Sequence, residues 1–386
     1  MGAIQDHSSR AMRVRPNLTR SVANPVMGRE GLTALWFGEP DVATPQFICD
    51  EAISSMRAGE TFYTPGLGES FLREALSVYL SKLHSANIAE NRLAVTVSGG
   101  NALNLAFQCL LEQGDIVGTH IPAFPNLLSI PALQGATVET IRLRVKNGSW
   151  CLDMDELLAL ARRCKVLLLN SPSNPTGWVM QPVEQNALLE VCRECGTWII
   201  SDEVYSRIYF DGAAAPSFLS IAEPEDRVLV VNSFSKAWAM TGWRLGWLAV
   251  PPSLLATLEN IMEFSISSAP AFAQRAGKVA LEQGEAFVRE SVERYRNNLS
   301  MVTDAFESAS RVRFVKPKST FYAYFQIEGV DDNLDFTQRL IDKAGLGLAP
   351  GKTFDAESID WFRLCFAASE DKLALALRKL IEHLES

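Results

Sequence analysis

Hydrophobic and polar positions change rhythm twice along this 386-residue chain. Between residues 69 and 84, apolar side chains recur at 72, 75, 76, 79, 80 and 83, the spacing of a helix with one buried face. From residue 93 the pattern turns to short apolar runs at 93–97, 116–120, 137–143, 166–170, 197–202, 228–231 and 245–250. Helical spacing fills most of the gaps, as at 102–113, 153–164 and 183–195. Strand, helix, strand at this rhythm predicts an α/β fold with a seven-stranded, mostly parallel sheet covered by helices on both faces. Beyond Pro251-Pro252 the pattern becomes long and helical, with a break around Ser267-Ser-Ala-Pro270. A smaller α/β unit follows, with strands near 321–327 and 361–366 and a last amphipathic helix at 370–384. Residues 1–35 are polar and irregular and read as an extended arm. The predicted division is an arm (1–45) packing with the small domain, a large domain (46–254) and a small C-terminal domain (255–386).

Composition narrows the function classes. An apolar fraction of 47% and a charged fraction of 21% are those of an ordinary globular protein. A net charge of −9 argues against nucleic acid or an anionic membrane as partner. Arg10, Arg13, Arg15 and Arg20 make a sparse basic cluster, interrupted by Pro16. No run approaches the roughly 20 apolar residues of a membrane helix, and the N-terminus lacks a secretory pattern. Seven scattered cysteines point to reduced thiols and a cytoplasmic location. Cys192 and Cys195 form a C-x-x-C inside an expected helix with no second pair, and read as structural.

In sheets of this kind functional groups collect at the carboxyl ends of the strands. Ser98-Gly-Gly-Asn-Ala opens a helix after the first run, where free N–H groups favour a phosphate. Pro122-Ala-Phe-Pro125 follows the second and can set Phe124 over a flat ring. Ser171-Pro-Ser-Asn-Pro-Thr-Gly177 is stiffened by prolines and offers the Asn174 amide as donor. Asp202 ends a buried strand, where an acid needs a cationic partner such as a protonated ring nitrogen, and Tyr205 follows three residues on. Asn232 to Gly246 supplies Ser233, Ser235, Lys236 and Arg244. A phosphate cradle, a stacking aromatic, an oxygen donor, a carboxylate and a lysine are the parts that hold pyridoxal phosphate through a Schiff base. His120, at a strand end, reads as structural.

With these residues in place the chain resembles the class I/II aminotransferases among the fold-type I pyridoxal-phosphate enzymes. The resemblance runs from about residue 35 to the C-terminus. It rests on Gly38-Glu-Pro-Asp41, Tyr63-Thr-Pro65, Asn174-Pro-Thr-Gly177, Ser201-Asp-Glu-Val-Tyr205, Ser233-Phe-Ser-Lys236, Met240-Thr-Gly-Trp-Arg244 and Arg363 within Trp-Phe-Arg-Leu. It implies that Lys236 carries the Schiff base and then serves as the base, and that Asp202 keeps the pyridine nitrogen protonated. Asn174 and Tyr205 would bond the phenolate oxygen, and Phe124 would stack on the ring. Gly99, Gly100, Ser233 and Arg244 would hold the phosphate, with Asn101 and Ser235 beside them. Tyr63 would reach the neighbouring subunit's phosphate across a homodimer interface. Arg363 would grip the substrate α-carboxylate in a pocket shared with Gly38 and Asn174. The implied activity is ping-pong transfer of an amino group from an amino acid to a 2-oxo acid.

Substrate preference is read from what is missing. Members that select dicarboxylic substrates supply a cation either near Gly100 or from a neighbour's segment matching 264–270, and neither stretch here holds one. The expectation is a neutral, aromatic or broad donor. Arg20 or Arg29 in the arm remains within possible reach of an acceptor such as 2-oxoglutarate. Within the same fold, a β-eliminating carbon–sulfur lyase or a specialised biosynthetic enzyme is the alternative, and outside it a cofactor-binding regulatory domain.

Overall fold

The computed structural model describes Val14 and residues 16–385. Expectations placed on Arg10, Arg13, Arg15 and the extreme N-terminus therefore lie outside the described residues. The seven expected strands are present in one sheet, in the order Leu93–Thr96, Gly246–Ala249, Val228–Ser233, Trp198–Asp202, Val166–Asn170, Ile116–Ile121, Thr137–Arg142. All neighbours run parallel except Gly246–Ala249, which is antiparallel to both of its partners. The central strands explain the unbroken apolar runs. Leu167, Leu169 and Val230 pack into one core cluster, while Val166, Leu168, Leu229 and Val231 pack into another. Alternate side chains thus enter two different cores, one on each face, so the strand interiors are apolar and polar residues come at the ends that face the site.

Helices follow their sequence signals. Pro182–Cys195 has proline in its first turn, a capping box between Gln181 and Glu184, and Gly196 at φ 74° to end it. Gly99–Leu110 begins three residues before the expected start, because the Ser98 side chain accepts from the Asn101 N–H at 3.0 Å. That shift puts Gly99 and Gly100 in the helix's first turn.

A four-stranded sheet carries the C-terminal part, in the order Val312–Phe314, Tyr322–Ile327, Trp361–Cys365, Ala349–Pro350, all antiparallel. Its core joins Phe325, Phe362, Leu373 and Leu380, and includes Leu35 from the arm. The arm is not simply extended. Leu18–Ala23 is a helix whose Asn17 side chain accepts from Arg20 N–H, and Thr33–Ala34 pairs in parallel with Leu346–Gly347. The hairpin Arg144–Lys146 to Ser149–Cys151 was also not expected, though its turn, Asn147-Gly148, holds both residues at positive φ, as a tight hairpin requires. No helix among the described residues is long and apolar enough to cross a membrane.

Candidate active site

Register sets the site. Asn170 lies opposite Asp202 and Asp202 opposite Val231, so the parallel strands end at one level. Over that edge opens a cavity of about 550 Å³, roofed by the arm and by the four-stranded sheet. Its wall contains Gly38, Gly99, Gly100, Phe124, Asn174, Asp202, Tyr205, Ser233, Ser235, Lys236, Arg244 and Arg363. Two of the expected cofactor residues are not in it. The Asn101 side chain turns back to accept from the Val97 N–H at 3.4 Å. Tyr63 projects from the surface with 92% of its area exposed.

Lys236 sits on a single helical turn, Phe234–Ala237, directly after the buried strand Val228–Ser233. Its Nζ donates to the Gly38 carbonyl at 2.6 Å. Burial pulls its pKa down to about 8, aided by the nearby charges of Arg363 and Arg244. A lysine so placed is a usable nucleophile and base near neutral pH. Asp202 is buried, and Oδ1 accepts from the Val204 N–H at 3.2 Å. Burial pushes its carboxyl up to about 7, against the pull of the Val204 N–H and of Lys236. A carboxylate in that setting is short of a cation facing it from the cavity.

Arg363 gives the matching argument for an anion. It is buried, and it donates to Asn174 Oδ1 at 2.9 Å and to the Trp36 carbonyl, while Nε has no partner. Among the described residues no carboxylate pairs with it. A buried guanidinium held by neutral acceptors alone is stabilised by an incoming carboxylate. Asn174 is itself held by its backbone N–H, which donates to Asn170 Oδ1 at 2.8 Å. With its oxygen taken by Arg363, the Asn174 amide nitrogen is left as a donor.

The phosphate-sized end lies between the first turn of Gly99–Leu110 and the Ser233–Ser235 turn. Ser233 Oγ donates to Ser235 Oγ at 2.9 Å, and Arg244 stands at φ 54° with its guanidinium on the Thr241 carbonyl. Such a backbone conformation is costly for arginine and is typical of binding sites. At Gly99 a Cβ would approach Val204 Cγ1 to 3.0 Å, and at Gly246 it would meet the Gly99 nitrogen at 2.9 Å. The cradle is therefore built with backbone packed tightly behind it. Free helix N–H groups, serine hydroxyls and an arginine fit a phosphate. A buried acid fits a pyridinium, and a half-buried lysine fits an aldehyde. The residues present match pyridoxal phosphate at each of its three ends.

Several contributors carried no sequence signal. Asn170 orients Asn174, the Trp36 carbonyl holds Arg363, and Tyr322 places its hydroxyl 2.7 Å from that of Tyr205. Trp36 and Tyr322 act through contacts far along the chain, whereas Asn170 acts locally, four residues before Asn174. His120 is buried beneath the site, with the Asn170 N–H donating to Nε2 at 3.2 Å. Burial holds its imidazole down to about 4, so it is neutral at working pH. Arg29 is occupied at the surface by Asp342 at 2.9 Å, whereas Arg20 lines the cavity.

Comparison with known proteins agrees with this chemistry. The family model described as aminotransferase class I and II matches residues 31–380. An aspartate aminotransferase of Pyrococcus horikoshii is 29% identical, covering 98% of this chain and 97% of its own. An arginine–pyruvate transaminase of Pseudomonas aeruginosa is 31% identical over 94% and 92%. The crystal structure of the Thermotoga maritima aspartate aminotransferase superposes with a TM-score of 0.91 at 29% identity, covering 98% of this chain and all of that one. With the family model spanning nearly the whole chain, this protein belongs to the class I and II aminotransferases, transferases that use pyridoxal 5′-phosphate.

Proposed function

We propose that this aminotransferase moves the amino group of a neutral, aromatic or broad range of amino acids to a 2-oxo acid, in two half-reactions at one site. The observation that carries the reading is the meeting of Lys236, Asp202 and Arg363 in one cavity, the acid and the arginine buried and the lysine half-buried, none with an oppositely charged partner in contact among the described residues. Bound pyridoxal phosphate supplies an electron sink for charge developing at the substrate Cα. Lys236 would be its attachment point and, once free, the base whose Nζ would take the Cα proton. Asp202 would hold the proton on the ring nitrogen. Tyr205 and the Asn174 amide donate to the phenolic oxygen, and Phe124 covers the ring. Gly99, Gly100, Ser233, Ser235 and Arg244 hold the phosphate, and the Asn101 backbone N–H caps the turn behind them. Arg363 takes the α-carboxylate in a two-pronged grip, over the backbone of Gly38.

Breadth is supported by the rim. Apart from Lys236, Arg244 and Arg363, the cation lining the cavity among the described residues is Arg20, which lies 5.1 Å from the centre of the Phe37 ring. Glu39 stands on the same wall and accepts from the Thr241 hydroxyl at 3.1 Å. A rim with one cation, one anion and an aromatic face suits neutral and aromatic side chains, and Arg20 can receive the distal carboxylate of 2-oxoglutarate. The names of the relatives span an acidic and a basic donor, which agrees with a family able to vary at this rim.

We further propose a cytoplasmic homodimer with Tyr63 contributed to the neighbour's phosphate, and a division into arm (1–45), large domain (46–254) and small domain (255–386). The seven free thiols suit a reducing compartment. A panel of single amino acids, each added to the loaded protein with keto-acid product measured, tests the donor range. Turnover with phenylalanine, leucine and methionine at rates comparable to or above aspartate is expected. Turnover with aspartate alone overturns the breadth, and catalytic release of pyruvate and ammonia from cysteine marks a lyase instead.

A further inference from the structure

Tyr322 connects both halves of the cavity. It opens the strand Tyr322–Ile327 of the four-stranded sheet, yet it is buried in the cavity wall. Its hydroxyl lies 2.7 Å from that of Tyr205. A Cβ on Gly38 would lie 1.8 Å from the same oxygen, so the Gly38 backbone passes directly beside it. The Arg363 guanidinium lies 4.3 Å from the ring centre.

We propose that Tyr322 is a positioning residue that donates its hydroxyl proton to Tyr205, and so commits the proton of Tyr205 to the phenolic oxygen of the bound cofactor. The inference rests on the assignment of Tyr205 given above. A tyrosine hydroxyl has one proton and two acceptor positions. The ionised phenolic oxygen of the cofactor only accepts. Tyr205 therefore directs its proton there, and in its bond with Tyr322 the donor is Tyr322. Burial raises the pKa of both hydroxyls well above the ordinary tyrosine range, so both protons are retained at working pH. Among the described residues, Tyr322 is the one hydrogen-bond partner of the Tyr205 hydroxyl, and the Phe321 ring stands edge-on at 5.7 Å. Donation from Tyr322 polarises the Tyr205 O–H and makes it a stronger donor. Gly38 then has a second reason to be glycine: a side chain there would displace the Tyr322 hydroxyl.

The test is a pH titration of the visible absorption band of the loaded protein, in Tyr322→Phe, Tyr205→Phe and the double variant. Donors on the phenolic oxygen draw charge from the neighbouring Schiff-base nitrogen and lower its pKa, so losing them raises the titration midpoint. Tyr205→Phe is expected to raise it by about one pH unit and Tyr322→Phe by about half a unit. The double variant should match Tyr205→Phe alone, because Tyr322 acts through Tyr205. An unmoved midpoint in Tyr322→Phe beside a shifted Tyr205→Phe overturns the proposal and leaves the role of Tyr205 standing. A double shift equal to the sum also overturns it, since Tyr322 then acts independently. An unmoved midpoint in Tyr205→Phe overturns both. Should Tyr322→Phe load poorly, 3-fluorotyrosine at 322, a more acidic donor, must lower the midpoint, and a rise or no change contradicts the proposal.

Discussion

At the scale of single residues, the site is a set of buried groups whose charges await partners. Asp202 and its neighbour Glu203 are both pushed up to about 7, in each case chiefly by burial. A carboxyl whose pKa is higher folded than unfolded holds its proton more tightly in the folded state. The stability this brings is complete below about pH 4 and is lost as pH rises to about 7. Asp202→Asn removes one of the two contributions. The cofactor-free variant should therefore lose less thermal stability than the parent between these limits, by a few degrees (roughly 1–2 kcal/mol). Parallel melting curves across that range would contradict it. Lys236, Asp202 and Arg244 were legible in the sequence because each lies in a short motif at or beside a strand end, and Arg363 because it stands alone as a cation within an apolar strand. Tyr322 and the Trp36 carbonyl were not, because their roles arise from contacts with residues far along the chain: 117 positions for the Tyr205–Tyr322 bond and 327 for Trp36 with Arg363.

Elements carry the second level of organisation. The turn Gly351–Thr353 and the residues after it bring the four-stranded part onto the edge of the large sheet. The Phe354 carbonyl accepts from the Ala123 N–H at 3.0 Å, and Thr353 meets Thr19 of the arm helix through their hydroxyls at 3.1 Å. Arg142, at the end of Thr137–Arg142, clamps this turn by pairing with the buried Asp355 and with Glu357. Arg142→Ala leaves Asp355 buried with its charge partner gone, at a cost of about 1–3 kcal/mol. Urea unfolding should register that loss, together with a higher KM, because Thr353 and Phe354 line the cavity. Unchanged stability would show that the clamp is incidental. The strands buried on both faces show in the sequence as nearly unbroken apolar runs, with polar residues gathered toward their site-facing ends. The helix Asn126–Leu133 was missed because it is apolar on nearly every side and holds Pro131, so no period marks it. The arm helix leaves no periodic trace in the sequence because it spans six residues, too few to show a period.

At the scale of the whole molecule, the loop carrying Tyr63 is held rigidly yet presented outward. Thr64 Oγ1 donates to the Ala269 carbonyl at 2.9 Å, and Gln274 Nε2 donates to Thr64 Oγ1 at 3.0 Å. Phe62, next to Tyr63 in sequence, and Phe264 are 84% and 92% exposed, large apolar rings left in water. In a twofold dimer each subunit's Tyr63 can complete the other's site. Co-expression of Tyr63→Ala with Lys236→Ala tests this, because the mixed dimer would keep one intact site. Activity should rise to about a quarter of the parent's, above that of either variant alone, and a simple average of the two would contradict it. The account turns finally on Lys236. Borohydride reduction of the loaded protein, followed by digestion and mass spectrometry, fixes the cofactor to whichever lysine holds it. The account predicts the pyridoxyl adduct on Lys236, and its loss in Lys236→Ala; an adduct on another lysine, or none, would contradict it.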